Sequence, residues 1–295
     1  MRRKVWLTIV WVALGGVAAG QIKRQFTVEN APSCEIVKLR LKSNSGNCYI
    51  KPSQNSEILN VYSNQDADAY SHNFTKEVVG KTCEVNLSLE ENRANGLGQT
   101  ISTRFFGTSE PSSNTIWKMY LTESTPYQLE LNYGVGNANV DLSGLAIQNL
   151  KINTGSADVV IGYNSLGNQV EMDSLTIKVD LGSIKVKNLN LSRSRHVLAD
   201  VGFGNMLLDF SNQPVASNHI KGSVGAGTLV IVLPNPDIPV LVKIHDSWLC
   251  SVTMPKGLKK IGDNTFASQT YTADATNALT FDLDVSMGKI IFKEK

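Results

Sequence analysis

Between Leu129 and Ile231, apolar and polar residues alternate in short runs, and a glycine breaks each run. The breaks fall at Gly136, Gly155, Gly182, Gly204 and Gly227, which lie 19, 27, 22 and 23 residues apart. Outlying copies surround Gly46 and Gly288. The second position after each glycine is Cys48, Ala138, Ala157, Ile184, Met206, Leu229 or Ile290. The fourth is Ile50, Val140, Val159, Val186, Leu208, Ile231 or Phe292. The third position upstream is Tyr133, Ile152, Val179, Val201, Val224 or Val285, with Ser43 breaking the pattern, and the fifth adds Leu41, Leu131, Leu150, Ile177, Ala199 and Leu283. Alternation by two is the strand period, with one face toward a core.

The inward parity is odd before the glycine and even after it. A continuous strand cannot do that, so the chain bends or gains a residue there. Glycine suits such a corner because it reaches positive φ without a Cβ clash. Gly182 and Gly204 are therefore expected in left-handed corner conformations. A rung cannot bury its apolar face alone, so units of this length stack in register. The expected fold is all-β, a β-solenoid-like stack (a β-helix) of glycine-cornered rungs. A sandwich of antiparallel hairpins is the competing arrangement.

Three segments follow from the pattern. Residues 1–20 open with Arg2, Arg3 and Lys4, continue through an apolar run from Val5 to Val17, and end in small residues. This is the layout of a signal peptide, with cleavage expected after Ala19 or Gly20. Residues 21–125 form a looser N-terminal β region or cap with degenerate rungs. Strands are expected around Val37–Leu41 and Val85–Leu89, with polar loops at 53–74 and 90–113. Residues 126–295 form the repeat domain. There Cys250 stands 23 residues after Gly227, in place of a corner glycine, and Leu279–Phe292 is expected to supply the last rung.

The formal charge of +2 includes the three basic leader residues, so the remainder is close to neutral, which argues against nucleic acid as a partner. Four cysteines, Cys34, Cys48, Cys83 and Cys250, allow disulfides in an exported chain, and their pairing is open among them. Their spacing does not suggest zinc. His245, Asp246 and Ser247 are the residue types of a hydrolase triad, but neighbours on a strand point to opposite faces and cannot assemble. The Gly-x-Gly pairs at 134, 202 and 225 complete no dinucleotide loop and open no helix. Asp141, Asp158, Asp180, Asp200 and Asp209 sit at different offsets from their glycines and form no stripe. No catalytic residue, metal ligand or cofactor site is assigned.

From Tyr127 to Gly136, with Leu142–Leu145 and Leu150–Gly155, the chain resembles the toast-rack and adhesin-like domains of bacterial envelope proteins, over roughly residues 126–295. Among these are the C-terminal domains of cell-wall-active antibiotic response proteins. The resemblance implies a β-solenoid-like fold, an exported location in the periplasm or at the cell surface, and no catalytic residue. The function expected is a non-catalytic binding, adhesion or structural surface whose partner is an envelope protein or a glycan. A carbohydrate-active solenoid lyase or hydrolase is the alternative, ahead of a component of envelope-stress signalling. On the late rungs the outward positions Leu207, Val230, Val232 and Ile291 are apolar. Such a face calls for a cover, expected from the N-terminal region or the 256–277 excursion, otherwise from a partner.

Overall fold

The computed structural model describes residues 22–30, 33–65, 70–91, 115–164 and 166–295. The expected leader over 1–20 and most of the polar connection after Glu90 lie outside them. The N-terminal part contributes β1 (Lys23–Val28), β2 (Ile36–Ser43), β3 (Asn47–Ser53), β4 (Leu59–Ser63), β5 (Tyr70–Val79), β6 (Thr82–Glu91) and β7 (Ile116–Thr122). Strand β4 and the first half of β5 fall within the stretch 53–74 expected as loop. Both pair antiparallel, β4 between β1 and β7 and β5 at the edge of its sheet on β6, so they stand outside the parallel repeat that the glycine pattern reports. Five strand pairs then follow the glycine phrases: β8 (Tyr127–Tyr133) and β9 (Asn137–Asp141), β10 (Ile147–Thr154) and β11 (Asp158–Gly162), β12 (Met172–Val179) and β13 (Ser183–Lys187), β14 (Ser194–Val201) and β15 (Asn205–Asp209), β16 (Asn218–Val224) and β17 (Thr228–Leu233). The chain ends with β18 (Val240–Asp246), β19 (Ser251–Thr253), β20 (Lys259–Gly262), β21 (Thr265–Ala267), β22 (Leu279–Val285) and β23 (Lys289–Glu294).

Each phrase places its first strand in one sheet and its second in another. The first sheet runs β1-β4-β7-β3-β9-β11-β13-β15-β17-β23-β19, and the second β20-β21-β18-β22-β16-β14-β12-β10-β8-β2-β6-β5. Successive rungs pair in parallel, which selects the solenoid over the antiparallel sandwich. Strands on either side of residue 125 share both sheets, since β2 pairs β8 and β3 pairs β9. At the far end, β22 and β23 insert between the β16–β17 rung and the β18–β19 rung. The Leu279–Phe292 rung is thus last in sequence but not last in the stack. Antiparallel strands blunt both ends of the second sheet, a common guard against edge-to-edge aggregation.

The interior is built from the apolar columns. Val159, Ile184, Met206, Leu229 and Ile290 align from strand to strand, as do Ile161, Val186, Leu208, Ile231 and Phe292, and all are buried. The repeat around Gly155 is displaced by two residues from its expected register. Its column members are Val159 and Ile161, not Ala157 and Val159, and upstream Ile152 and Thr154, not Leu150 and Ile152. Ala157 holds the corner place there, which is why the glycine spacing runs 19 and then 27.

Gly46 and Gly136 do take positive φ, at +101° and +107°, but the later corner glycines are required for a different reason. Neither Gly182 nor Gly204 has φ in the left-handed region. Each stacks directly on the corner below it. The amides of Ser183, Asn205, Thr228 and Lys289 donate to the carbonyls of Ala157, Gly182, Gly204 and Gly227 at 3.1, 3.0, 3.0 and 2.9 Å. A Cβ on Gly204 would strike the Gly182 carbonyl oxygen and stand 2.8 Å from Val179 Cγ2. The opposite corner uses asparagine: buried Asn168 donates through Nδ2 to the carbonyls of Ile147 and Val170 and accepts from the Ile147 amide.

Two outcomes are expected. Gly204→Ala and Gly204→Asn should both destabilise the chain by about 2 kcal/mol or more, because the obstruction is neighbouring backbone. Gly80→Asn should stay within about 0.5 kcal/mol, because Gly80 has φ +62° with nothing within 4 Å of a Cβ. Denaturant titration of the three variants checks this, and tolerance of Asn at 204 would restore a positive-φ explanation. The second outcome concerns pH. Burial pushes the Cys48 thiol from 9.0 up to about 11, and burial also raises the phenols of Tyr127, Tyr133 and Tyr163. These groups ionise in the unfolded chain before the folded one, so unfolding releases protons above pH 9. Their contribution to stability should be constant below that pH and be lost as pH rises from about 9 through 11. Thermal melts across that range read it directly, and a flat melting temperature would contradict the buried placement.

Candidate binding surface

At each corner the chain passes from the last inward residue of one strand, through an apex, to the corner residue before the next strand. The apex amides of Ser156, Leu181, Phe203, Ala226 and Met287 donate to the carbonyls of Gly134, Gly155, Asp180, Gly202 and Gly225 on the neighbouring rung. The apices therefore lie one strand spacing apart, about 4.8 Å. In stack order they read Val135, Ser156, Leu181, Phe203, Ala226 and Met287. The β18–β19 corner is one residue longer and adds Trp248 and Leu249 before Cys250, whose neighbour Ser251 donates to the Gly288 carbonyl. Phe203 is 72 % exposed and Trp248 90 %, and Val135, Leu181, Leu249 and Met287 are exposed as well. A row of large apolar side chains in water is uncommon on a soluble monomer, which makes this row the candidate binding surface. The apex position lies outside the core columns, but its apolar character at five of six corners, four of them large, is readable from the sequence.

The row leads into an open cleft of about 830 Å³ at the end of the stack, lined by Lys243, His245, Asp246, Asp263, Asp284 and Met287 among others. The three triad-type residues disperse within it. His245 Nε2 lies 2.8 Å from Asp282 Oδ1, Asp246 Oδ1 accepts from Asn264 Nδ2 at 2.6 Å, and Ser247 Oγ donates to the Ser286 carbonyl. The serine has no base beside it, so the trio makes no activated nucleophile. Among the described residues, no cluster of three or more His, Cys, Asp or Glu is arranged to hold a metal ion.

The acids outside the core serve local bonds. Asp158 accepts from Ser183 Oγ at 2.6 Å, Asp200 from Ser223 Oγ at 2.8 Å, and Asp141 from the Ser143 hydroxyl at 2.6 Å. On the outer face of the first sheet, Leu207, Val230 and Ile291 are partners on adjacent strands, with Val232 further along, and all four are half-buried. The 256–277 excursion is spent at the end of the stack. There β21 pairs with β18, and the Gly257 amide donates to Glu294 Oε1 at 2.9 Å. Cys34 and Cys83 form a disulfide with a Cα–Cα distance of 5.5 Å, while Cys48 is a buried free thiol and Cys250 a half-buried one.

These features define a β-solenoid with an apolar corner row and no assembled catalytic group among the described residues. A family model, the N-terminal domain of toast_rack, DUF2154, matches residues 18–187, and the chain belongs to that family. The match begins well before residue 126, where the glycine phrases become regular, and ends at residue 187, inside the repeat. Among solved structures, the chain is similar to a candidate cell-adhesion protein from Clostridium sporogenes at 15 % identity and a TM-score of 0.44, covering 93 % of this chain and 99 % of that one. A candidate adhesin from Bacteroides fragilis follows at 12 % and 0.34, covering 92 % and 97 %. A candidate lipid-binding protein from Parabacteroides distasonis stands at 10 % and 0.34, covering 92 % and 96 %. No curated protein matches the chain. No helix among the described residues is long and apolar enough to cross a membrane.

Proposed function

We propose that the chain is an exported, non-catalytic protein of a bacterial envelope or surface, and that it binds its partner along the corner of the solenoid. The observation that carries this reading is the exposed apex row Leu181, Phe203, Ala226 and Met287, held at strand spacing by the backbone beneath it, with exposed Trp248 at the longer corner next to it. Export is supported by the basic and apolar opening of the sequence and by the Cys34–Cys83 disulfide, a bond that persists in oxidising compartments. Partner contact at such a row would come from the aromatic and methionine side chains, the types enriched at interfaces.

The test is co-sedimentation of the purified chain with the envelope fraction of its own cells. Phe203→Ser, Trp248→Ser and Met287→Ser combined should lower retention about tenfold. The fold should remain intact, because exposed substitutions usually change stability by no more than about 0.5 kcal/mol each. Retention unchanged by the triple variant would overturn the corner as the binding surface.

The carbohydrate-active enzyme is the second reading, favoured by Asp246, Asp263 and Asp284 lining a single open cleft. Glycoside hydrolysis needs two carboxylates flanking the scissile bond. Polysaccharide cleavage by the native chain that is lost in Asp284→Asn would establish it.

A further inference from the structure

We infer that the N-terminal end of the first sheet carries a binding subsite for a carboxylated sugar unit, on a different part of the stack from the apex row. The site is a cleft of about 370 Å³ lined by Ser53, Asn55, Asn60, Tyr62, Lys118 and Tyr120, with Ile22 at its edge. It arises from pairing. Asn60 on β4 lies opposite Tyr120 on β7, and Tyr62 opposite Lys118, so alternate outward residues of the two strands share one face. The rings of Tyr62 and Tyr120 meet edge to face, with centroids 5.7 Å apart. Both are half-buried, and they give a sugar ring an apolar wall with hydroxyls beside it.

Asn60 points to a ligand independently. It is 1 % exposed, its Oδ1 accepts from Thr27 Oγ1 at 3.0 Å, and its Nδ2 has no hydrogen-bond partner. A buried amide donor without a partner costs free energy unless a ligand satisfies it. Asn60 lines the cleft, where an incoming hydroxyl or carboxylate oxygen would supply the missing acceptor. The hydroxyl of Tyr120 and the side-chain amide of Asn55 supply further polar contacts.

Charge sets the ligand class. Arg24 lies over the Tyr62 ring, 5.4 Å from its centroid, and donates to the Tyr62 hydroxyl at 3.0 Å from Nη2. Lys118 lines the cleft, and Lys51 is the strand partner of Tyr120 on its other side. The described lining residues include no carboxylate, and neither lysine is paired with one among the described residues. A cationic rim around an aromatic wall favours an anionic sugar over a neutral one.

This inference deepens the surface-binding reading and rests on it, but uses other residues. The test is calorimetry of the full chain with tetragalacturonate and sialyllactose, with maltotetraose as neutral control. An acidic probe should bind at least tenfold more tightly than maltotetraose. Tyr120→Ala should weaken that binding at least tenfold, and Lys118→Gln, a surface change that leaves the fold intact, about fivefold. Envelope retention of the Phe203, Trp248 and Met287 triple variant is read alongside. Absence of acidic-sugar binding while native retention persists would overturn the sugar site and leave the corner reading standing. Equal affinity for the neutral probe, or binding indifferent to both variants, would also overturn it.

Discussion

The structure depends on how closely one corner can stack on the next. Parallel rungs stand a fixed strand spacing apart, and that spacing must hold in the turns as well as in the strands. At the corners the backbone itself is the packing surface, so Gly182, Gly204, Gly227 and Gly288 have no room for a Cβ, while Ala157 and, at the longer end corner, Cys250 fill the corner place where the stacking leaves room. The Gly204 position shows this directly, facing the Gly182 carbonyl below and offering its own carbonyl to Thr228 above. Because the corner holds register, the inward columns of both sheets align, and the apices align outside them. The apolar core and the exposed apolar row are two products of one constraint.

Much of the fold was legible in the sequence because that constraint repeats. Period-two columns identified the strands and the inward face from Val179 to Phe292, and Cys250 was recognisable as a substitute corner. The errors have physical causes. A glycine signals both left-handed backbone and close approach, and sequence cannot separate the two; at Gly182 and Gly204 the cause is close approach. In the Gly155 repeat the corner is alanine and the glycine stands two residues earlier, which shifted four column assignments. The insertion of β22 and β23 into the stack was hidden, because rung order is set by pairing over long separations and leaves no local trace.

The surfaces were less legible. The apex row requires only that one position be apolar and unburied, and a reading tuned to core columns passes over it. The aromatic cleft was invisible, because Tyr62 and Tyr120 are far apart in sequence and meet only through the antiparallel β4–β7 pairing. The apex row and the aromatic cleft sit on the regular rungs and on the N-terminal strands respectively. A stack of this kind can thus present distinct surfaces along its length.

The most direct measurement is native-state hydrogen exchange at the corner amides of Ser183, Asn205, Thr228 and Lys289. If corner stacking governs the fold, these amides exchange only with global unfolding, at the same free energy as the buried strand amides of Leu208 and Ile231. Exchange at the corners that is fast and independent of the strands would show that the turns are loose connections, and that the sheets alone hold the stack.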